Sequence, residues 1–239
     1  MKEKEAHQVI RILDKILAKN ESIIKVCDRS MKIAEHGRDP SKHLYHASRL
    51  VIMHYSNLSA AGGGLSSLPG LIPGIGLVYS LLGSSAISAI LAFKFELEMS
   101  LALAHLTGID ISDPRERKLA FLMVCSALEE AYSNDEEATF VNVLDIAMSE
   151  YSTRELSKTL IKAVARVLVM FSAKKMTKFF PLIGTGIETV VDKVLCERLG
   201  RECWRAYSHR MKVANENGAK ATADETEREK KEQETKEEE

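Results

Sequence analysis

The chain has 239 residues, 45% of them hydrophobic and 28% charged, with a formal net charge of −1. That is long enough for one large domain or two small ones around a buried core, and it excludes collagen-like, low-complexity and wholly disordered classes. The near-zero total hides an asymmetry of about +4 over residues 1–215 against −5 over residues 216–239, which is far short of a basic nucleic-acid footprint. The opening MKEKEAHQ is too polar for a secretory signal peptide, so a cytoplasmic body is expected.

Nearly every segment reads as helix. Val9, Ile12, Leu13, Ile16 and Leu17 recur at helical spacing, and a second apolar run covers Ile23 to Ala34. Gly37-Arg38-Asp39-Pro40 marks a stop and restart: Asp39 can cap, and Pro40 suits the first helical position, where no amide proton is needed. Residues 50–93 then hold no charged side chain unless His54 is protonated. Within them, Gly62-Gly63-Gly64 and the stretch from Pro69 to Pro73 break the backbone ahead of an apolar block, Leu71 to Phe93. A run of about 20 mostly apolar residues is long enough to cross a bilayer as a helix. The helix it opens continues through Lys94, Glu96 and Glu98 to Thr107, and Gly108 ends it.

Asp113-Pro114 repeats the cap-and-proline device before a helix with Leu119, Leu122, Met123, Ser126 and Ala127 on one face. Asn134-Asp135 turns the chain into a shorter helix near 136–149. Ser152-Thr153-Arg154-Glu155 is a capping box. The amphipathic helix it starts clusters Leu160, Val164, Val167, Leu168 and Phe171 opposite Lys158, Lys162 and Arg166. Phe179-Phe180-Pro181 breaks the chain again, and a last helix covers about Ile187 to Val213. From Ala214 the sequence is polar and charged without large apolar residues, which predicts a disordered acidic tail over 214–239. The fold class is therefore all-α: a multi-helix bundle with N-terminal helices over 1–44, a helical domain over 45–213, and two glycine/proline helix elbows.

The elbows echo each other. Leu71-Ile72-Pro73-Gly74-Ile75-Gly76-Leu77 parallels Leu182-Ile183-Gly184-Thr185-Gly186-Ile187, and each follows a proline, Pro69 or Pro181. Proline breaks the incoming helix, and glycine permits close backbone approach. Gly70 and Gly74 also have the Gly-x-x-x-Gly spacing that lets helices meet backbone to backbone. These segments read either as tight helix-helix elbows or as hairpins that dip into a membrane.

Motifs for chemistry are sparse. Gly74-x-Gly76 lacks the third glycine of a dinucleotide loop, and no phosphate loop or nucleophile elbow occurs. Cys27, Cys125, Cys196 and Cys203 include no Cys-x-x-Cys pair, and they read as buried thiols. His43 and His46 lack the further ligands a zinc site needs. Glu188 and Asp192 share a helix face, most simply a solvated one. No catalytic, cofactor-binding or metal-binding residue is assigned, and no cofactor is expected. Lys174, Lys175 and Lys178 precede Phe179-Phe180, and Lys94 follows the first apolar block. Such basic side chains can reach lipid headgroups while neighbouring aromatics enter the interface.

Taken together, these elements resemble the EcsC family. The resemblance rests on the glycine-proline stretch before a long apolar helix, on Leu103-Ala104-His105-Leu106-Thr107-Gly108-Ile109-Asp110, and on the run from Asp113-Pro114 to Leu122. Pro181-Leu182-Ile183-Gly184-Thr185-Gly186 and the ending Cys203-Trp204-Arg205-Ala206-Tyr207 complete it, over about 45–210. Thr107 stands where the family pattern has tyrosine, and Glu188 and Asp192 where it has small or amide residues. The resemblance implies a bacterial accessory protein, since the namesake is encoded beside an ABC transporter, and it brings no catalytic residues.

The expected function is thus a non-enzymatic, membrane-associated accessory protein on the cytoplasmic side of the cell membrane, with a membrane protein as a candidate partner. Its elbows, Pro69, Gly70, Pro73, Gly74 and Gly76 with Pro181, Gly184 and Gly186, would dip into one leaflet. Lys174, Lys175 and Lys178 would lie at the headgroups. The alternative is a soluble cytoplasmic helical module that binds a protein partner or an apolar ligand between its helices.

Overall fold

A computed structural model describes residues 3–37, 39–65, 85–132, 153–172 and 188–237. These form seven α-helices and, among the described residues, no strand, as the helical periodicity predicts. They are α1 (Glu3–Ile16), α2 (Asn20–Ala34), α3 (His43–Leu65), α4 (Ser85–Leu106), α5 (Pro114–Tyr132), α6 (Thr153–Ser172) and α7 (Glu188–Glu237). One 3₁₀ turn, Pro40–Lys42, precedes α3. The helix expected near 136–149 lies outside the described residues.

The sequence signals at the helix ends do what their chemistry requires. The Asp39 carboxylate accepts from the Ser41 amide at 3.1 Å with Pro40 at the first position of the turn. Asp113 does the same for the Arg115 amide at 2.8 Å, with Pro114 opening α5. Gly108 closes α4 with φ +86°, in the left-handed region. Its amide donates to the His105 carbonyl at 2.9 Å, and the Ile109 amide reaches back to Ala104 at 3.1 Å. This pair of bonds satisfies carbonyls at the end of α4 that would otherwise lack partners.

α4 is the axis of the bundle. It packs against α1, α2, α3, α5 and α7. Every residue from Phe95 to Ala104 is buried, as are Leu91 and Phe93. Apolar residues occur on every side of this stretch, with Glu96, Glu98 and Ser100 set among them, so it has no solvent face and belongs in the interior. α5 is buried all round from Leu119 to Leu128, where the sequence predicted one inward face. α6 keeps the expected amphipathic division, with Leu160, Val164 and Val167 inside and Lys158, Lys162 and Arg166 outside. The inner residues of α1 and α2, from Ala6 to Cys27, belong to the same continuous core as those of the later helices.

Several interior polar groups are paired within this core, although the buried Ser59 hydroxyl has no hydrogen-bond partner among the described residues. Glu98, almost wholly buried, accepts from Lys94 Nζ at 2.6 Å and from the Ala18 amide at 2.6 Å. The second bond holds the break between α1 and α2 against α4. The Ser100 hydroxyl meets the Tyr207 hydroxyl of α7 at 3.0 Å. Arg210 of α7 makes a two-pronged contact with Glu116 of α5 at 2.8 and 3.0 Å. Gly200 lets α7 approach closely, because a Cβ there would lie 2.8 Å from Ile52 of α3 and 2.9 Å from Met99 of α4.

The backbone of α7 continues as helix to Glu237. The run from residue 214 is rich in alanine, glutamate and lysine, which have high intrinsic helix propensity. No residue after Tyr207 belongs to the core among the described residues.

Two stability outcomes follow from these contacts. Glu98→Ala strands the Lys94 ammonium and the Ala18 amide in the interior and is expected to cost about 3 kcal/mol in denaturant titration. Glu98→Gln keeps an acceptor for Ala18 and is expected to cost less. Gly108→Ala forces a Cβ into the left-handed region and is expected to cost about 1 kcal/mol, or roughly 2–4 °C in Tm.

Candidate functional site

The residues singled out for membrane contact fall outside what the structure describes. Pro69, Gly70, Pro73, Gly74 and Gly76 lie in the connection between α3 and α4. Pro181, Gly184 and Gly186, with Lys174, Lys175 and Lys178, lie between α6 and α7. Lys94, the fourth basic residue near the apolar block, is within the bundle, ion-paired to Glu98 and 4.6 Å from the Phe95 ring centroid. The last residues of the apolar block, Leu91 and Phe93, are protein core. No helix among the described residues is long and apolar enough to cross a membrane.

His43 and His36 hold the turn between α2 and α3, and His46 is exposed on α3. His43 Nε2 lies 3.0 Å from the Gly37 carbonyl, and His36 Nδ1 lies 2.7 Å from the Lys32 carbonyl. No group of three or more metal-ligating side chains occurs among the described residues. All four cysteines are free and buried. Burial pushes the Cys27 and Cys203 thiols up to about 12, and it raises Cys125 as well. Cys27 donates to the Ala102 carbonyl at 3.3 Å, and Cys196 lies 3.9 Å from the Met99 sulfur. These contacts tie α2 and α7 to α4, so the thiols serve packing.

Among the described residues, a groove lies where α2 and α7 flank α3. A depression of about 760 Å³ contains Ile33 of α2, Tyr45, Arg49 and Met53 of α3, and Arg201 and Trp204 of α7. A second, of about 360 Å³, shares Ile33, Leu50 and Met53 with the first and extends it past Arg29 and Lys25. Three of its apolar side chains are unusually open, with Ile33 54%, Tyr45 49% and Met53 50% exposed. Water-facing side chains of that size gathered on one surface mark a contact site more often than isolated ones do.

Its electrostatics are one-sided. The described lining holds four cations, Lys25, Arg29, Arg49 and Arg201, against one carboxylate, Glu197. Glu197 meets Arg201 at 3.9 Å, a long exposed pair of little strength. Lys25, Arg29 and Arg49 have no carboxylate within ion-pair distance among the described residues. Burial and the Arg29 guanidinium hold the His54 imidazole below its ordinary value, which favours the neutral ring beside these cations.

Sequence reasoning did not find this groove. Its residues come from the consecutive helices α2 and α3 and from α7, which lies far along the chain. The available signals were Tyr45 and Met53, apolar residues outside the arc of α3 that faces the core, and Trp204, the single tryptophan. Comparison with protein-family models, curated proteins and solved structures found no match.

The thiol chemistry is directly measurable. Native protein with excess Ellman's reagent at pH 8 is expected to react slowly, and all four thiols are expected to react once guanidinium unfolds the core. A rapid burst of one equivalent from the native protein would contradict the buried assignment.

Proposed function

We propose that the protein is a non-enzymatic, membrane-associated accessory protein that meets one leaflet, on the cytoplasmic side, through its two glycine elbows. The observation that carries this reading is the charge-free stretch of residues 50–93 together with the packing of the helices at its two ends. α3 and α4 lie against each other in one bundle, and residues 66–84 connect them without a single Asp, Glu, Lys or Arg. An apolar connection between packed helices suits shallow, one-sided insertion. A spanning helix would instead have to pull apart a helix pair that shares a core.

Lys174, Lys175 and Lys178, beside Phe179 and Phe180, supply the attraction to anionic headgroups in this reading. Each contributes about 1 kcal/mol near an anionic surface, so the three together give a useful but reversible affinity. The EcsC resemblance favours the accessory role, with a transporter or another envelope component as the assembly served. The soluble alternative, a helical module that binds a protein partner, is favoured by the groove between α2, α3 and α7.

Fractionation separates these readings. The protein is expected to pellet with membranes at low salt and to be released by high salt or alkaline carbonate. The triple variant Lys174→Glu, Lys175→Glu, Lys178→Glu is expected to be released already at moderate salt. Retention of that variant after carbonate would overturn the one-sided mode, and a fully soluble native protein at low salt would overturn membrane association.

A further inference from the structure

We propose that the groove between α2, α3 and α7 is a docking site for an acidic amphipathic helix of a partner protein. The site is separate from the elbows. It spans Tyr45 to Asn57 on α3, the half remote from Leu65, where the connection to the elbow begins. None of its lining residues belongs to the elbows, so it does not depend on that reading.

Shape, chemistry and charge each point to a helix. The groove runs along α3 from Tyr45 to Asn57, about 18 Å at 1.5 Å per residue, which is the length of three to four turns of a docked helix. Ile33, Leu50 and Met53 are common to both depressions and form an apolar floor, and Tyr45 and Trp204 lie in the larger one. Helix-in-groove recognition works through apolar side chains at i, i+3, i+4 and i+7 seated on such a floor. Methionine adapts to the shape of its partner, and tryptophan, tyrosine and arginine supply much of the energy at protein interfaces. A flat bilayer surface would not fill a concavity of this size.

Charge selects the partner's sign. Four cations surround this floor with one carboxylate among them, and three of the four have no ion-pair partner among the described residues. Carboxylates flanking an apolar stripe would therefore meet complementary charge, which steers encounter and excludes basic helices. The chain's own acidic end does not fit. Residues 216–239 carry ten acidic side chains but no large apolar residue to seat on Ile33 and Met53.

Trp204 makes the site visible, because it is the only tryptophan in the chain. The probe is a 14-residue capped peptide without tryptophan, with leucine at i, i+3, i+4 and i+7 and glutamate on its flanks. Its control carries lysine for every glutamate. Both are titrated into the full-length protein while Trp204 emission is followed, with labelled-peptide anisotropy as an independent readout. The acidic peptide is expected to shift the emission and bind at least tenfold more tightly than the basic one, and to weaken as salt rises from 50 to 300 mM. Arg29→Glu with Arg49→Glu, two exposed positions, is expected to weaken it about tenfold without changing the circular dichroism. Met53→Glu is expected to weaken both peptides. Equal binding of the two peptides would overturn the charge selection and leave only an apolar groove. Absence of binding by either readout would overturn the docking site. A Trp204 response to phosphatidylserine vesicles without one to the acidic peptide would overturn it in favour of a lipid-facing surface. None of these outcomes depends on Lys174, Lys175 or Lys178, so the elbow reading stands or falls separately.

Discussion

The all-round burial of α4 is the constraint on which the rest of the bundle depends. From Phe95 to Ala104 no residue faces solvent, so every polar group on that stretch needs an interior partner. Those partners are what order the surrounding helices. Glu98 fixes the junction of α1 and α2 through the Ala18 amide, and Ser100 fixes α7 through Tyr207. The Cys27 thiol meets the Ala102 carbonyl and so sets α2 against the same axis. Apolar packing alone is non-directional, and helices that are greasy on every face could slide past one another. The few directional bonds on α4 select one register.

Surface features follow from how closely the outer helices approach that axis. Gly200 removes the side chain that would separate α7 from Ile52 and Met99, so α7 sits tightly on α3 and α4. One turn further on, Trp204 reaches the groove. The inward residues of α3, Val51, Ile52 and Tyr55, are used by the core, which leaves Tyr45 and Met53 facing outward beside Ile33 of α2. The groove is therefore a by-product of core geometry that acquires character from its rim of lysine and arginine. That rim is mildly costly in self-repulsion, a cost an anionic partner relieves.

The charge-free stretch is not one physical object. Its beginning is the body of α3, with an inner face in the core and an outer face in the groove. Its end, Leu91 and Phe93, lies inside the bundle one turn ahead of the Lys94–Glu98 pair. Among the described residues, uniform hydropathy along the sequence thus divides into protein core and exposed groove.

Features legible in the residues alone were local ones. Asp39-Pro40, Asp113-Pro114 and Gly108 mark helix ends because capping, the missing proline amide and a positive φ are properties of a few consecutive residues. The division of α6 into apolar and basic faces is likewise set by a 3.6-residue period, and the buried fate of the cysteines by their chemistry. The same rules could not tell a helix buried in protein from one buried in lipid, since both are apolar all round. The neighbouring helices α1, α2, α3, α5 and α7 decided that for Leu91 and Phe93. Nor could local rules show that Lys94 would turn inward to Glu98, or that α2, α3 and α7 would bring Arg29, Arg49 and Arg201 around one apolar floor. Those outcomes depend on contacts between residues far apart in the chain, which no local period encodes and which exist only once the helices have packed.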